Sequence, residues 1–135
     1  MGMHEHTFVM VKPDGVSRGL VGEVISRLER RGLRLERIRM LTITEEMARR
    51  HYAEHLERSF FPELVEFICS GPVVAMDWSG PGAIATAREV MGATDPRMAE
   101  PGTIRGDLGQ EVTQNIVHGS DGPESAKREL ALFFD

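Results

Sequence analysis

Apolar residues along this chain alternate between a spacing of two and a spacing of three or four, and each switch predicts a new element. Thr7-Phe8-Val9-Met10-Val11-Lys12 is rich in β-formers and runs into the turn signal Pro13-Asp14-Gly15, so a first strand should end at Lys12. Val21, Val24, Ile25 and Leu28 then recur as one helical face, with Gly32 placed as a C-cap. Leu33 to Leu41 predicts a second strand whose alternation slips between Leu35 and Ile38, as at a bulge. Thr44-Glu45-Glu46-Met47 opens a helix, with Thr44 as the cap and acidic residues in the first turn. Helices are expected over 45–56 and 61–69, separated near Ser59-Phe60.

Val73-Val74-Ala75-Met76 has no polar alternation, which suits a central strand covered on both faces. Gly80-Pro81-Gly82 ends that unit, and Ile84, Ala87, Val90 and Met91 mark a further helix. From Gly92 to Gly109 no period is visible, and a long functional loop is predicted. Asn115-Ile116-Val117-His118 reads as a short last strand, and Pro123 starts a final helix, where its missing N–H costs nothing. Stripped of insertions the order is β-α-β-β-α-β. In fold class this is α/β in the broad sense, an α+β sandwich of ferredoxin-like type: a four-stranded antiparallel sheet covered by helices. Residues 1–135 suit one domain, without repeat or linker.

Composition narrows the function. A formal charge of −5 argues against general affinity for nucleic acid, while leaving room for a local basic pocket that takes phosphates. Cys69, the lone cysteine, excludes an internal disulfide; lying in Val65-Glu66-Phe67-Ile68-Cys69, it reads as a buried thiol in a reducing, cytoplasmic setting. No apolar stretch reaches the roughly 20 residues of a membrane helix. Met1-Gly2-Met3-His4-Glu5-His6 lacks a signal-peptide core, and His6 stands where myristoylation needs Ser or Thr. His4 and His6 offer weak chelation at most.

The chain carries neither G-x-x-x-x-G-K-[ST] nor G-x-G-x-x-G, so any phosphate grip is built another way. Lys12 at a strand end, Arg88 in a helix and Arg105 in the long loop each read, alone, as a solvated charge. The segment Asn115-Ile116-Val117-His118-Gly119-Ser120-Asp121 is more informative. A histidine at a strand end, followed by Gly and Ser, makes a poor core residue and a good exposed nucleophile, since neutral imidazole has a free lone pair near pH 7. Glu129 on the following helix can accept a hydrogen bond from the ring, and Ser120 can join that network. From these residues alone, a catalytic and a structural His118 stand equally open.

Phe8-Val9-Met10-Val11-Lys12-Pro13-Asp14-Gly15, Phe60-Phe61, Gly71-Pro72-Val73-Val74-Ala75-Met76, Pro101-Gly102-Thr103-Ile104-Arg105-Gly106-Asp107, Asn115 to Asp121 and Glu124-Ser125-Ala126 together resemble the nucleoside diphosphate kinases, in the family's order and over nearly the whole chain. The resemblance implies a ping-pong cycle in which His118 takes the γ-phosphate of a nucleoside triphosphate as phosphohistidine and passes it to the diphosphate of another nucleoside. It implies that Lys12, His55, Arg88, Thr94 and Arg105 bind the phosphates, with Tyr52 close to the catalytic centre. Lys12 and Asn115 would hold the ribose hydroxyls, and Phe60 would stack on the base with Val112 on its other side. Mg²⁺ would arrive on the nucleotide phosphates and not in a protein cage. A homo-oligomer, hexamer or tetramer, is also implied, and the ending Leu132-Phe133-Phe134-Asp135 chooses between them no further. Ser59 and Gln114 depart from the commonest pattern, where proline and arginine are frequent; they touch affinity or assembly and remove no chemical group.

Two rival readings compete. His51-Tyr52-Ala53-Glu54-His55 fits H-x-x-E-H, a zinc-hydrolase signature in which His51 and His55 would share a helical face. On the family reading His55 meets phosphate and His51 is ordinary helix surface. The second rival is a non-catalytic nucleotide or nucleic-acid binding module, against which His118, Lys12, Arg105 and Glu129 all argue by their presence. Arg105-Gly106-Asp107 also matches an adhesion tripeptide, but a phosphate ligand explains Arg105 better.

Overall fold

The computed structural model describes residues 4–112 and 114–134, without the side chain of Glu54. The Met1-Gly2-Met3 reading and any role for the Glu54 carboxylate therefore lie outside the described residues. Four strands form one sheet in the order β2-β3-β1-β4, with β1 over His4–Val11, β2 over Arg34–Leu41, β3 over Val73–Pro81 and β4 over Val117–Gly119. Every pairing is antiparallel. The expected ferredoxin-like arrangement is the one observed.

Alternation within the two central strands divides the core. Val9 and Val11 of β1 join Val74, Met76 and Trp78 of β3 in one buried cluster. This cluster is capped by α2 (Val21–Arg30) and α5 (Ala83–Met91) through Val24, Leu28, Ala87 and Met91. Phe8 and Met10 point the other way, with Val73 and Ala75, beneath α3 (Glu45–His51), α4 (Phe61–Ile68) and α7 (Pro123–Phe134). A period-2 strand buried on both faces has no polar side to show, which is why 73–76 reads as unbroken apolar sequence. Each fully buried Leu, Val or Phe in these layers stabilises the fold by about 1.5–3 kcal/mol.

Several local signals hold. The register shifts between Leu35 and Arg37, where alternation slipped. Gly32 takes φ +86° after α2. The Thr44 hydroxyl accepts the Met47 N–H at 3.2 Å. Others need correction. Pro13-Asp14-Gly15 is not a simple turn but the start of a short helix α1, Pro13–Ser17. The helix expected over 45–56 stops at His51, and a single 3-10 turn, Ala53–His55, follows. The stretch 92–109 is not structureless: it holds a 3-10 turn at Pro96–Met98 and a helix α6, Ile104–Leu108. Asp95 and Thr103 side chains cap these two by accepting the N–H groups of Arg97 and Gly106. Their brevity hid them, since one or two turns carry no readable period. Cys69 is only partly buried against the second cluster, not fully enclosed.

Candidate functional site

The C-terminal end of β1, the turn before β4 and the end of α3 converge on a cavity of about 490 Å³. Lys12 follows β1, and its ammonium donates to Asn115 Oδ1 at 2.9 Å. Asn115 Nδ2 in turn donates to the Thr94 carbonyl at 2.8 Å, which ties the 92–95 segment to the strand end. Burial foremost, and then the neighbouring Arg105 charge, pull the Lys12 ammonium down to about 8.

Asn115 and Ile116, expected in the short last strand, instead form a tight turn before it. Ile116 takes φ +76°, a region that β-branched residues seldom enter. The Val117 N–H reaches back to the Asn115 carbonyl at 2.9 Å and closes a γ-turn. Such a backbone costs on the order of 1–3 kcal/mol and persists only where surroundings over-determine it. Here they do. The Asp14 carboxylate accepts the Ile116 N–H at 3.0 Å, the Lys12 N–H donates to the Ile116 carbonyl at 2.7 Å, and the Ile116 side chain is fully buried.

Arg105 completes the clamp. Its guanidinium donates to the carbonyls of Asn115 (3.3 Å), Gly92 (2.9 Å) and Val117 (2.6 Å). It is therefore buried and lies on a helix, not in an open loop. A planar fork with five donors can bridge three backbone segments and still face the cavity. Burial, then the Arg88 charge, lower it to about 10. Gly92 can present its carbonyl there because it takes φ +87°, and a Cβ at that position would run into Thr103. Arg88 lies on the exposed side of α5, with one guanidinium nitrogen 3.3 Å from the Gly119 carbonyl.

His118 sits in β4 opposite Met10. Its side chain is 25% exposed, so the ring is partly covered and not free-standing. Nε2 lies 2.9 Å from Glu129 Oε2, and the Ser120 hydroxyl donates to Glu129 Oε1 at 2.6 Å. An ionised carboxylate can only accept, so Nε2 carries the proton and the lone pair belongs to Nδ1. Burial alone would raise the Glu129 carboxyl. The hydrogen bond and charge of His118, with the Ser120 bond, bring it below its ordinary value. Ser120 is buried behind Glu129 and does not reach the cavity wall.

The remaining residues expected at the site line the same cavity: Tyr52, His55, Phe60, Thr94 and Val112. Phe60 and Val112 are 40% and 47% exposed, which leaves two apolar surfaces open at the mouth. His55 packs edge-on against Phe60, with ring centroids 5.6 Å apart. Burial, then Glu129, raise the Tyr52 phenol to about 12, so it stays neutral.

His51 overturns the sequence reading. It is not helix surface: it is 4% exposed, with its ring edge-on to His118 at 4.7 Å between centroids. Burial, followed by the charge of His118, lowers it to about 3 against the opposing pull of Glu129, so the ring is neutral. Because α3 ends at His51, the continuous helix that would have given His51 and His55 one zinc-binding face does not exist. His51 follows Ala48 by three positions on the buried side of α3, a helical spacing that could have revealed it. Asp14, read as a turn residue, was also missed; its partner is Ile116, far along the chain.

The sequence matches the family model described as nucleoside diphosphate kinase over residues 5–135. It is 60% identical over 131 residues to a nucleoside diphosphate kinase of Halalkalibacterium halodurans, covering 97% of this chain and 89% of that protein. A nucleoside diphosphate kinase of Symbiobacterium thermophilum is 61% identical over 130 residues, covering 96% and 87%. Among solved structures, a halophilic nucleoside diphosphate kinase from Halobacterium salinarum in complex with CDP superposes with a TM-score of 0.95. That pair is 52% identical, over 98% of this chain and 89% of the other. This chain belongs to the nucleoside diphosphate kinase family.

Proposed function

We propose that the chain transfers the γ-phosphate of a nucleoside triphosphate to a nucleoside diphosphate through a phosphohistidine at His118. The observation that carries this is the Glu129–His118 pair: a carboxylate on Nε2 that leaves the Nδ1 lone pair available in a cation-lined cavity. In the first half-reaction a bond forms from Nδ1 to the γ-phosphorus, and the bond from that phosphorus to the bridging oxygen breaks. The diphosphate departs with the bond electrons. In the second half-reaction a terminal oxygen of the incoming diphosphate attacks the phosphohistidine, and Nδ1 recovers its lone pair.

Phosphoryl transfer spreads charge over equatorial oxygens, so catalysis consists mainly of positioning and cationic stabilisation. Lys12, Arg88 and Arg105 supply positive charge in the cavity that His118 lines; His55, Thr94 and Tyr52 supply donors within it. Lys12 and Asn115, already bonded to each other, would share the ribose hydroxyls. Phe60 and Val112 offer a slot for any base, because every base has a π-face.

The described residues provide no oxygen-rich cage for Mg²⁺. Among the described residues, the one cluster of three candidate ligands, His51, His118 and Glu129, is mostly nitrogen, which suits softer metals. A cavity lined by cations suits phosphates on which Mg²⁺ would arrive already bound, supplying further neutralisation of their charge. A homo-oligomer, hexamer or tetramer, belongs to this reading. The edge strand β2 supports it, since Ile38 and Met40 lie 49% and 61% exposed there. No described helix is long and apolar enough to cross a membrane. A cytoplasmic setting is part of the proposal, supported by the unpaired thiol of Cys69.

Incubation with ATP labelled at the γ-phosphate tests the reading. An acid-labile, base-stable label should appear on the chain, pass to added GDP, and vanish in His118→Ala. A chain that takes no such label is a non-catalytic binding module, and near-normal turnover in His118→Ala would remove the nucleophile assignment.

A further inference from the structure

His51 presents a chemical puzzle. Both of its ring nitrogens are buried and neither has a hydrogen-bond partner, although leaving a buried polar group unpaired costs about 1–3 kcal/mol. Its Nδ1 is 3.9 Å from Glu129 Oε2, the same oxygen that His118 Nε2 approaches at 2.9 Å. One ligand atom from each of the three residues lies within 4.8 Å of the other two. Tetrahedral zinc with bonds of about 2.0–2.1 Å to nitrogen and oxygen needs ligand atoms roughly 3.3 Å apart. The two measured separations straddle that value, so a small motion of either ring would complete three sides of a tetrahedron. All three residues border the cavity, from which a water molecule would supply the fourth ligand.

We propose that His51, His118 and Glu129 form an inhibitory site for a borderline-soft divalent cation of the zinc class, which shuts off phosphoryl transfer by fixing the wrong tautomer of His118. The cation takes Nε2 of His118 in place of its proton, which moves through solvent to Nδ1. Nδ1–H has no lone pair in the ring plane to attack phosphorus. Glu129 Oε2 changes from hydrogen-bond acceptor to metal ligand, and the His51 Nδ1 lone pair gains the partner it lacks. Two imidazoles and one carboxylate favour zinc over Mg²⁺, so the magnesium that accompanies nucleotide does not compete. The Arg128 guanidinium, 3.9 Å from the same Glu129 oxygen, is 42% exposed, and its long side chain can turn to solvent as the cation enters. This pairing also differs from the H-x-x-E-H pattern: His51 is joined to His118 by the fold and not to His55 by a helix.

The inhibition rests on the phosphotransfer reading, but the binding does not, so the two are tested apart. Metal-stripped protein titrated calorimetrically with zinc chloride alone should show a single tight site. His51→Asn and Glu129→Gln should each weaken it roughly tenfold or more, since even outer-shell changes cost 10–100-fold. A His4→Ala/His6→Ala double variant should bind as wild type does; loss of binding there would place the site at the N-terminus and overturn the proposal. Imidazole ¹⁵N spectra of the zinc-loaded wild-type protein require no variant to fold. They should show His118 metal-bound at Nε2 and protonated at Nδ1. Unchanged zinc affinity in His51→Asn, or a retained Nε2 proton at saturating zinc, would sink the idea. Turnover with excess Mg²⁺-nucleotide should fall over the same zinc range in which the calorimetric site fills; full turnover with that site occupied would refute the inhibition.

Discussion

Glu129 holds His118 at one nitrogen only: Oε2 is 2.9 Å from Nε2, while Oε1 is occupied by the Ser120 hydroxyl at 2.6 Å. The carboxylate is thereby fixed by one neighbour so that it can fix the other. Glu129→Gln keeps the size of the side chain but removes the charge that favours a proton on Nε2. Turnover should fall by roughly 10–100-fold, the scale of a misoriented reacting group. A coupled assay of kcat and KM checks this, with KM expected to change less than kcat. Equal turnover would mean that the ring is oriented by its packing against Phe8 and His51 alone.

Arg105 ties three backbone segments together through the carbonyls of Gly92, Asn115 and Val117. A lysine in its place has no fork and cannot reach all three. Arg105→Lys should destabilise the fold by about 2–3 kcal/mol, the scale of hydrogen bonds to a charged group left unmade in the interior. Urea unfolding would reveal it as a lower midpoint with an unchanged slope. A midpoint equal to wild type would reduce Arg105 to a phosphate ligand without structural duty.

Phe60 stands 40% exposed at the cavity mouth, its ring against His55. Phe60→Ala should weaken nucleotide affinity by roughly 1–3 kcal/mol through lost stacking, similarly for purines and pyrimidines. Equilibrium binding of ADP and CDP measures it. Unchanged affinity for both would put the base elsewhere.

Lys12 loses its proton near pH 8 in the folded chain, against an ordinary 10.5, because burial and Arg105 disfavour its charge. Two opposite slopes follow. Diphosphate affinity should weaken as pH rises above about 8, where the cation disappears, and Lys12→Arg should flatten that profile. Stability should move the other way: between pH 8 and 10.5 the unfolded chain binds the extra proton, so this group makes folding more favourable as pH increases. Nucleotide titrations and thermal melts across that range report the two effects separately. An affinity flat to pH 10 would show that the ammonium keeps its charge in the folded chain.

Much of this was legible in the residue order. The β-rich run at 7–12, the unbroken apolar run at 73–76, period-3.6 faces at 21–28 and 84–91, and end signals at Thr44 and Pro123 are local properties, decided within one element. The bulge after Leu35 was visible for the same reason. The His118-Gly119-Ser120-Asp121 block pointed to the site because Gly and Ser beside a strand-end histidine make poor core.

What the amino-acid order determined alone was therefore the main strands and longer helices, their antiparallel arrangement, and the chemical types available for phosphate transfer. The tertiary structure alone decided the partners. His51 meets His118 and not His55; Asp14 reaches Ile116; Arg105 spends its guanidinium on three carbonyls. Each joins segments distant in sequence, so no window of neighbouring residues contains the information. Such contacts exist only once two layers of helices close on the sheet and exclude the water that would otherwise satisfy these groups.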